Sequence, residues 1–339
     1  MKARQLFSSI SKGLAITALT SASLFSVHAQ AQQFSQMFVF GDSLSDTGNL
    51  SAVTQDPNIP ERFTDGAVAV EIVASQLGLP LSTSYHLLPP EVTGGVYGNN
   101  FAVAGAVAID EDGDPTTPDI NLPTQVGAFL QFNGFQAPSD ALYIVMIGGN
   151  DIRAARQIIV EGNFGARRDA KKSIKKSVAS VKTQIETLIA AGAQNIAVIN
   201  APDIGAIPET DLVSQQALSE AGSFRDKIVA KKLEKITRVL SAVYNGRLAA
   251  AVSDIEDSTG LDLIEFDLFN FLDDVLDNYQ EYGYSNNTEA CVYAITGGGF
   301  NPACDFSSFV FFDEIHPTAI THQRAGIAVL EEINEHQNY

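Results

Sequence analysis

Four short apolar runs, each ending in turn-forming residues, restrict the fold more than any other feature of this sequence. They are MFVFG, ALYIVMIGG, NIAVINAP and LDLIEFD, at residues 37–41, 141–149, 195–202 and 261–267. Their apolar residues are nearly continuous, whereas a strand with one solvated face alternates apolar and polar residues. The pattern is therefore typical of strands that other elements cover on both faces.

Helical periodicity fills intervals between these runs. Residues 167–193 repeat apolar side chains along one helical face and end near Gly192, a plausible C-cap. That face consists of Ile174, Val178, Val181, Ile185, Leu188 and Ile189. Residues 219–252 show a similar period. Because strands that alternate with helices indicate βαβ units, the sequence predicts an α/β fold with a mostly parallel sheet.

The charge of the chain disfavours two classes of partner. With 21 basic and 40 acidic residues, the formal net charge is -19, whereas nucleic acids and anionic membrane surfaces attract basic proteins. The one basic cluster lies on the helix predicted at 167–193, where its lysines alternate with the apolar stripe. We interpret it as a solvated helix face rather than a binding patch. Its members are Lys171, Lys172, Lys175 and Lys176.

The first 29 residues have the pattern of a secretory signal peptide. Three basic residues, Lys2, Arg4 and Lys12, precede a segment of apolar or small residues at 13–27, and small residues lie at a cleavage position near Ala29. The alternative is an amphipathic first helix. Cleavage would remove three positive charges and change the net charge to -22. We therefore predict a secreted or periplasmic protein.

The mature chain, residues 30–339, is predicted to form one domain. No other stretch approaches the roughly 18–20 apolar residues of a membrane span. The segment Asp110–Asp114, DEDGD, resembles part of a calcium loop, but the remaining ligands of that motif are missing. We expect a solvated acidic loop there and assign no metal and no cofactor to the chain.

The two cysteines, Cys291 and Cys304, are predicted to form a disulfide, as is usual for a secreted chain with an even and minimal set. The bridge would close a short loop that contains TGGGF. Two free, buried thiols are the alternative. Zinc is not expected, because the usual histidine partners are missing at this spacing.

A candidate nucleophile and base stand at the ends of apolar runs. Ser43 directly follows the first run, and ligands of open α/β sheets bind at the carboxyl ends of the strands. A serine nucleophile needs a base. His316 lies in FVFFDEIHPT, a second strand-like run that ends in polar residues, and Asp313 precedes it by three residues. One turn would bring that carboxylate against the imidazole.

Two further segments offer hydrogen-bond donors for a developing oxyanion. In VMIGGND at 145–151 the two glycines allow close approach of the backbone, and Asn150 carries a side-chain NH₂ donor. GNNFAVAGA at 98–106 is a small-residue segment in which a glycine would offer an exposed backbone N–H. Each residue taken singly has a structural alternative. Ser43 fits a helix N-cap, and Asn150 or Asp151 fits the cap of the next helix. Asp313 and His316 fit a turn without a catalytic role, and Gly105 permits tight packing.

Four segments together resemble the signature blocks of the GDSL, or SGNH, family of serine esterases and lipases, in the family's order. They are FVFGDSLSDTGN, GNNFAVAGA, IGGND and DEIHPT, and the segments at 61–79 and 120–132 also resemble the family. The resemblance covers residues 37 to about 330. It implies a three-layer α/β/α sandwich, in agreement with the predicted parallel sheet.

The resemblance also implies a role for each site residue. Ser43 matches the nucleophile, His316 the general base and Asp313 the acid that orients it. The Ser43 and Gly105 N–H groups and the Asn150 amide match the oxyanion donors. Many members have two glycines where this chain has Ala104-Gly105, so Ala104 stays open as the neighbour that positions the donor.

The expected activity is hydrolysis of carboxylic esters, of lipids or of short acyl groups, through an acyl-enzyme on Ser43. The catalytic residues do not separate this from a carbohydrate acetylesterase or a phospholipid acyltransferase. A third alternative is a non-catalytic secreted binding module. A module of this kind would lack the nucleophile, the base or the asparagine, and all three are present in this sequence.

Overall fold

The four apolar runs form the four strands of one sheet in a computed structural model, which describes residues 34–109, 119–162 and 164–337. The segment 1–29 and the acidic stretch Asp110–Asp114 lie outside the described residues. In chain order the elements are β1 (Met37–Gly41), α1 (Asn49–Thr54), α2 (Ala69–Leu77), α3 (Pro90–Thr93), α4 (Leu122–Phe132), β2 (Leu142–Met146), α5 (Gly149–Glu161), α6 (Ala166–Ala191), β3 (Asn195–Ile199), α7 (Pro208–Glu220), α8 (Phe224–Ala230), α9 (Leu233–Thr259), β4 (Ile264–Phe266), α10 (Leu268–Asp277), β5 (Asn286–Ala290), β6 (Val292–Tyr293), β7 (Gly299–Phe300), β8 (Phe309–Phe311) and α11 (Ala319–His336).

All neighbouring strands of the central sheet are parallel, in the order β1-β2-β3-β4. Gly41 is level with Met146, and Met146 with Ile199, so the carboxyl ends of three strands lie side by side. The segment 99–103 runs along the other edge of β1. There Val39 donates its N–H to Asn99 and accepts one from Phe101. This edge is thus covered by backbone from the second signature segment.

Helices cover both faces of the sheet, which makes the fold the predicted three-layer α/β/α sandwich. The period of two along a strand sends alternate residues to opposite faces. Phe38 and Phe40 join the core beneath α4, α5, α6 and α9. Met37 and Val39 join a separate core beneath α2 and α11. Both faces are buried, which explains why the strands read as continuous apolar runs.

The helix predicted at 167–193 is confirmed as α6, with Gly192 at its C-cap. Five of its six stripe residues are buried, and Ile189 is partly buried. The four lysines of the basic cluster are exposed, as predicted for a solvated face.

The period at 219–252 predicts one continuous helix. That prediction is wrong, because the structure divides the segment among three helices, α7, α8 and α9. The helix α7 ends at Glu220, and α8 begins after Ser223. Ser223 accepts the N–H of Asp226, and the Asp226 carboxylate accepts the N–H of Ser223, which is a capping box that starts a new helix. Local capping therefore overrides a continuous apolar period.

The end of β1 is held by a side chain from α4. Gln125 is fully buried and both accepts the N–H of Gly41 and donates to its carbonyl, each at 2.8 Å. A Cβ at position 41 would lie 2.4 Å from the carbonyl oxygen of Met146. Only glycine therefore allows β1 and β2 to approach at the point where the chain leaves the sheet.

The strand-like run at 309–318 contributes the short strand β8, but outside the central sheet. It pairs with β5, and Phe311 forms an antiparallel bridge with Pro317 across the following turn. Within the three described ranges, no helix is both long enough and apolar enough to span a bilayer.

The two cysteines form the predicted disulfide, between Cys291 and Cys304. The loop that it closes is fastened to the chain after β8. Cys291 and Val292 donate backbone N–H groups to Phe311 and Phe312. Three further backbone N–H groups, those of residues 294–296, reach the carboxylate of Glu314 at 2.8–3.4 Å. The disulfide loop thus supports the turn at 313–316.

Replacing both cysteines with alanine should lower the free energy of unfolding by about 3 kcal/mol, the value expected for a loop of this size. The sequence separation of 13 residues sets the loss of unfolded-state entropy that the bridge imposes. Urea titrations of the wild type and the double variant measure the difference. Alkylation of the native protein should label no thiol before reduction and two afterwards. Equal stabilities, or thiols labelled without reductant, would contradict the prediction.

Candidate active site

Ser43 lies in a turn directly beyond the end of β1. Asp42 starts the turn, because its side chain accepts the N–H of Leu44 at 3.1 Å and its carbonyl accepts those of Ser45 and Asp46. The N–H of Ser43 has no hydrogen-bond partner among the described residues. Ser43 is not a helix N-cap, since α1 begins later, after Gly48. The turn therefore places both the hydroxyl and the N–H of Ser43 at the end of β1, where a ligand can bind.

The hydroxyl of Ser43 is joined to the imidazole of His316, 273 residues away in sequence. Ser43 Oγ lies 2.8 Å from His316 Nε2, and His316 Nδ1 lies 2.8 Å from the carboxylate of Asp313. All three residues are at most 9% exposed. A carboxylate on Nδ1 keeps the proton there, which leaves Nε2 as an acceptor for the serine hydroxyl.

The turn that holds this imidazole is built by the aspartate itself. Asp313 Oδ1 accepts the backbone N–H groups of Ile315 and His316 at 2.8 and 2.7 Å. The ring of Phe63 packs 5.1 Å from the imidazole, centroid to centroid. The carboxylate therefore fixes both the backbone turn and the ring, as the three-residue spacing predicts.

Asn150 lies in the first turn of α5 but does not cap it. The N-cap position is Gly148, so the helix has no side-chain cap there. The Asn150 side chain instead points back across the site. Its Nδ2 donates to the carbonyl of Ala106 at 3.0 Å, and its Oδ1 accepts from Arg153 at 3.0 Å. One N–H of the amide is left for a ligand.

Gly105 lies between two residues that bind the other site segments. The N–H of Ala104 is used by Asp46 Oδ2 at 2.8 Å, and the carbonyl of Ala106 binds Asn150. Gly105 itself has φ +85°, is exposed, and has an N–H without a partner among the described residues. A side chain would be strained at this φ. The geometry favours Gly105 over Ala104 as a donor.

Sequence reasoning missed a cluster of charged residues behind Asn150. Arg153 lies one turn along α5 and binds Glu209 as well as Asn150, and Arg156 binds the same carboxylate. The spacing of three residues between Asn150 and Arg153 was a signal, because such pairs share a helix face. Nothing local pointed to Glu209, which arrives with α7.

A cleft with a mostly apolar lining opens beside Ser43 and His316. Part of its wall is a stripe of α11 that includes His322, Ala325 and Val329, and residues of α2, which packs against α11, also line it. From residue 321 to residue 329 the stripe is about 12 Å long, at 1.5 Å per residue. The floor is formed by the ends of β2 and β3, at Met146 and Ile199.

Besides His316, the buried ionisable side chains of Asp42 and His322 line this cleft. Burial raises the pKa of the Asp42 carboxyl to about 6, against the opposing hydrogen bond from Leu44. Burial and, to a lesser extent, the nearby His316 lower the pKa of His322 to about 3. His322 is therefore neutral at pH 7, in keeping with its Nδ1, which accepts the N–H of Ala69. Across the described ranges, no three or more of His, Cys, Asp and Glu cluster in a way that could hold a metal ion.

Comparison with known proteins finds similarity along most of the chain. The family model for GDSL-like lipase/acylhydrolase matches residues 37–329. The chain is 26% identical to Lipase 1 of Photorhabdus luminescens. The match covers 90% of this chain and 50% of that protein. The chain is 27% identical to a GDSL esterase/lipase of Arabidopsis thaliana, with 94% of this chain and 96% of that protein covered.

Another similar protein of Arabidopsis thaliana is named an inactive GDSL esterase/lipase-like protein. It is 22% identical over 89% of this chain and 73% of its own length. Similarity over the whole domain therefore does not by itself demonstrate a working site. Turnover depends on the positions of the individual side chains at the site.

Asp42→Asn should make stability less dependent on pH between about 4 and 7. The Asp42 carboxyl has a pKa of about 6 in the fold and 3.8 ordinarily. As the pH rises through that window, the folded wild type holds a proton that the unfolded chain has released. Up to about 3 kcal/mol of stability is lost, and none of it returns at higher pH. Asparagine cannot ionise, so the variant should not lose this stability as the pH rises. Its free energy of unfolding relative to that of the wild type should therefore increase by up to this amount between pH 4 and pH 7.

Denaturant titrations of both proteins at pH 4, 5, 6 and 7 measure the effect. The difference between the two free energies of unfolding should grow with pH and level off near pH 7. Parallel pH profiles would show that the Asp42 carboxyl keeps an ordinary pKa in the fold.

Proposed function

The chain belongs to the GDSL-like lipase/acylhydrolase family and is a carboxylic ester hydrolase, and we propose that it works through an acyl-enzyme on Ser43. The observation that carries the proposal is the continuous relay from Ser43 Oγ through His316 to Asp313, with both contacts at 2.8 Å. A serine hydroxyl is a weak nucleophile until a positioned base removes its proton. The relay supplies that base in the required tautomer.

The chemistry follows from the positions of these atoms. Ser43 Oγ attacks the ester carbonyl while His316 Nε2 takes the hydroxyl proton, and Asp313 stabilises the imidazolium that forms. His316 then gives the proton to the leaving alcohol. Water enters, loses a proton to the same nitrogen and attacks the acyl carbonyl. His316 then returns that proton to Ser43 Oγ as the carboxylic acid leaves. No step needs a cofactor.

Three donors are available for the oxyanion of the tetrahedral intermediate. The N–H groups of Ser43 and Gly105 have no partner among the described residues, and Asn150 has one amide N–H to spare. Such donors stabilise charge that exists only near the transition state. We assign all three to this role.

The cleft favours an apolar acyl group as the part of the substrate that is held. Most of its lining is aliphatic or aromatic and offers few partners for sugar hydroxyls, which argues against a carbohydrate acetylesterase. A phospholipid acyltransferase would use the same relay with an alcohol in place of water. The intact relay argues against a non-catalytic binding module.

We also propose that residues 1–29 are a signal peptide removed near Ala29, and that residues 30–339 act as one hydrolase domain in the periplasm or outside the cell. The composition of the segment supports the first point. The predicted disulfide, which the structure contains, supports an oxidising compartment.

Ser43→Ala should lower kcat for a p-nitrophenyl ester by a factor on the order of 10⁴–10⁶, because the attacking atom is lost. The fold should be unaffected, since His316 is the only hydrogen-bond partner of the hydroxyl among the described residues. Ester turnover and thermal melting of the purified proteins measure both effects.

A fluorophosphonate probe provides the control. It should label the wild type at Ser43, as located by peptide mass spectrometry, and should not label Ser43→Ala. Turnover of more than a trace by the folded variant, or labelling at another residue, would remove Ser43 from the mechanism.

Ala325→Leu should shift the substrate preference toward short acyl chains. Ala325 is 7% exposed and lies one turn below Thr321 along the α11 wall of the cleft, so a larger side chain would shorten the space beside Ser43. We expect at least about a tenfold loss of kcat/KM for a long-chain ester, because the excluded methylenes lose their contacts. An acetyl ester should be affected much less.

Ala328→Leu is the matched control, because Ala328 lies on the same helix but does not line the cleft. It should leave the ratio of long-chain to acetyl-ester turnover unchanged. Equal losses of turnover on both esters in Ala325→Leu would show that the acyl chain is held elsewhere.

A further inference from the structure

The guanidinium of Arg153 lies between Asn150 and a buried carboxylate. One arm, Nη1, donates to Asn150 Oδ1 at 3.0 Å. The other side of the group, Nε and Nη2, donates to Glu209 at 2.6–3.2 Å. The three side chains therefore form a chain of hydrogen bonds that leads away from the reaction centre.

The orientation of the Asn150 amide decides whether it can serve as an oxyanion donor. The amide oxygen and nitrogen occupy nearly the same volume, so rotation by half a turn exchanges a donor for an acceptor. The carbonyl of Ala106 can only accept, and it binds Nδ2. The guanidinium of Arg153 can only donate, and it binds Oδ1. Both neighbours require the same orientation, with the free N–H available to an oxyanion.

Glu209 fixes the guanidinium in turn. It is 6% exposed, and it binds Arg156 at 2.8 Å as well as Arg153. Burial pushes the pKa of Glu209 up, but the hydrogen bonds and charges of the two arginines outweigh burial and leave the pKa below its ordinary value. The backbone N–H of Glu209 donates to the carbonyl of Glu314 at 2.7 Å, beside the turn that holds His316. The buried Glu209 thus connects Arg153 to the chain segment that holds His316.

We propose that Arg153 is a positioning residue for the ester hydrolysis: held by Glu209, it locks the Asn150 amide with its N–H toward the oxyanion. The inference rests on the proposed function, in which Asn150 is an oxyanion donor. Arg153 touches no reacting atom in this role. A charged donor on the amide oxygen also polarises the amide and strengthens its remaining N–H as a donor.

The second arginine on the same carboxylate offers a matched control. Arg156 binds Glu209 and Thr210 and makes no hydrogen bond to Asn150. Arg153→Lys and Arg156→Lys each keep a positive charge beside Glu209. A lysine has one compact ammonium instead of a planar fork, so in Arg153→Lys it cannot hold Glu209 and Asn150 in the present geometry.

We expect Arg153→Lys to lower kcat about tenfold with little change in KM, because the oxyanion interaction forms only near the transition state. Arg156→Lys should stay within about threefold of wild-type kcat. Melting temperatures of both variants show whether they lose similar stability. A purely structural role for Arg153 predicts equal effects of the two substitutions on kcat.

A double-mutant cycle with Asn150→Ala makes the test specific. Asn150→Ala alone should lower kcat by roughly 10²–10³. If Arg153 acts through the amide, Arg153→Lys should cause no further loss in that background. The same tenfold loss in both backgrounds, or no loss in the wild-type background, would overturn the inference and leave the role of Ser43 intact. An unchanged kcat in Asn150→Ala would overturn both the donor role of Asn150 and the inference.

Arg153→Gln repeats the comparison if the lysine variant does not fold. The glutamine side chain is neutral, and the substitution leaves Glu209 paired with Arg156. The same two outcomes apply: a loss of kcat that disappears in the Asn150→Ala background supports the inference, and an additive loss overturns it.

Discussion

The parallel register of β1 and β2 is the constraint on which the rest of the site depends. It sets Gly41 level with Met146, so the segments that leave the two strands do so from the same edge of the sheet. Ser43 follows one strand and Asn150 the other. The approach of the two backbones requires a glycine at position 41, and Gln125 satisfies its polar groups. Without this edge, the ends of β1 and β2 would not hold Ser43 and Asn150 beside each other.

Carboxylates hold the loops around that edge by accepting backbone N–H groups. Asp46 accepts those of Gly48, Asn49, Leu50 and Ala104, which ties the first signature segment to the second. Asp313 and Glu314 do the same for the catalytic turn and for the disulfide loop. Each is a charge-assisted hydrogen bond in a buried setting, the strong class of such bonds. Part of the chain's acidic composition therefore has a structural role at the site, beyond its effect on net charge.

The two halves of the site are joined by the α5–α7 contact. Asn150 belongs to α5 and the Asp313–His316 turn to the chain after β8, and Glu209 at the start of α7 binds both sides. Its carboxylate reaches Arg153, and its N–H reaches Glu314. One buried residue thus relates the position of the oxyanion donor to that of the general base. A catalytic arrangement needs this kind of support, because small displacements of positioned groups cost rate.

The sequence by itself determined the elements and the local chemistry. Apolar runs located the central strands to within a few residues, because burial on both faces leaves a continuous pattern. The three-residue spacing of Asp313 and His316 specified a turn that one carboxylate can close. Tertiary structure alone decided which distant groups meet: His316 with Ser43, and Glu209 with Arg153, 56 residues apart. It also decided that the run at 309–318 pairs outside the main sheet. The break in the period at 219–252, by contrast, comes from the local capping box of Ser223 and Asp226. Periodicity reports which face of an element is buried, but the partner on that face is set by long-range packing.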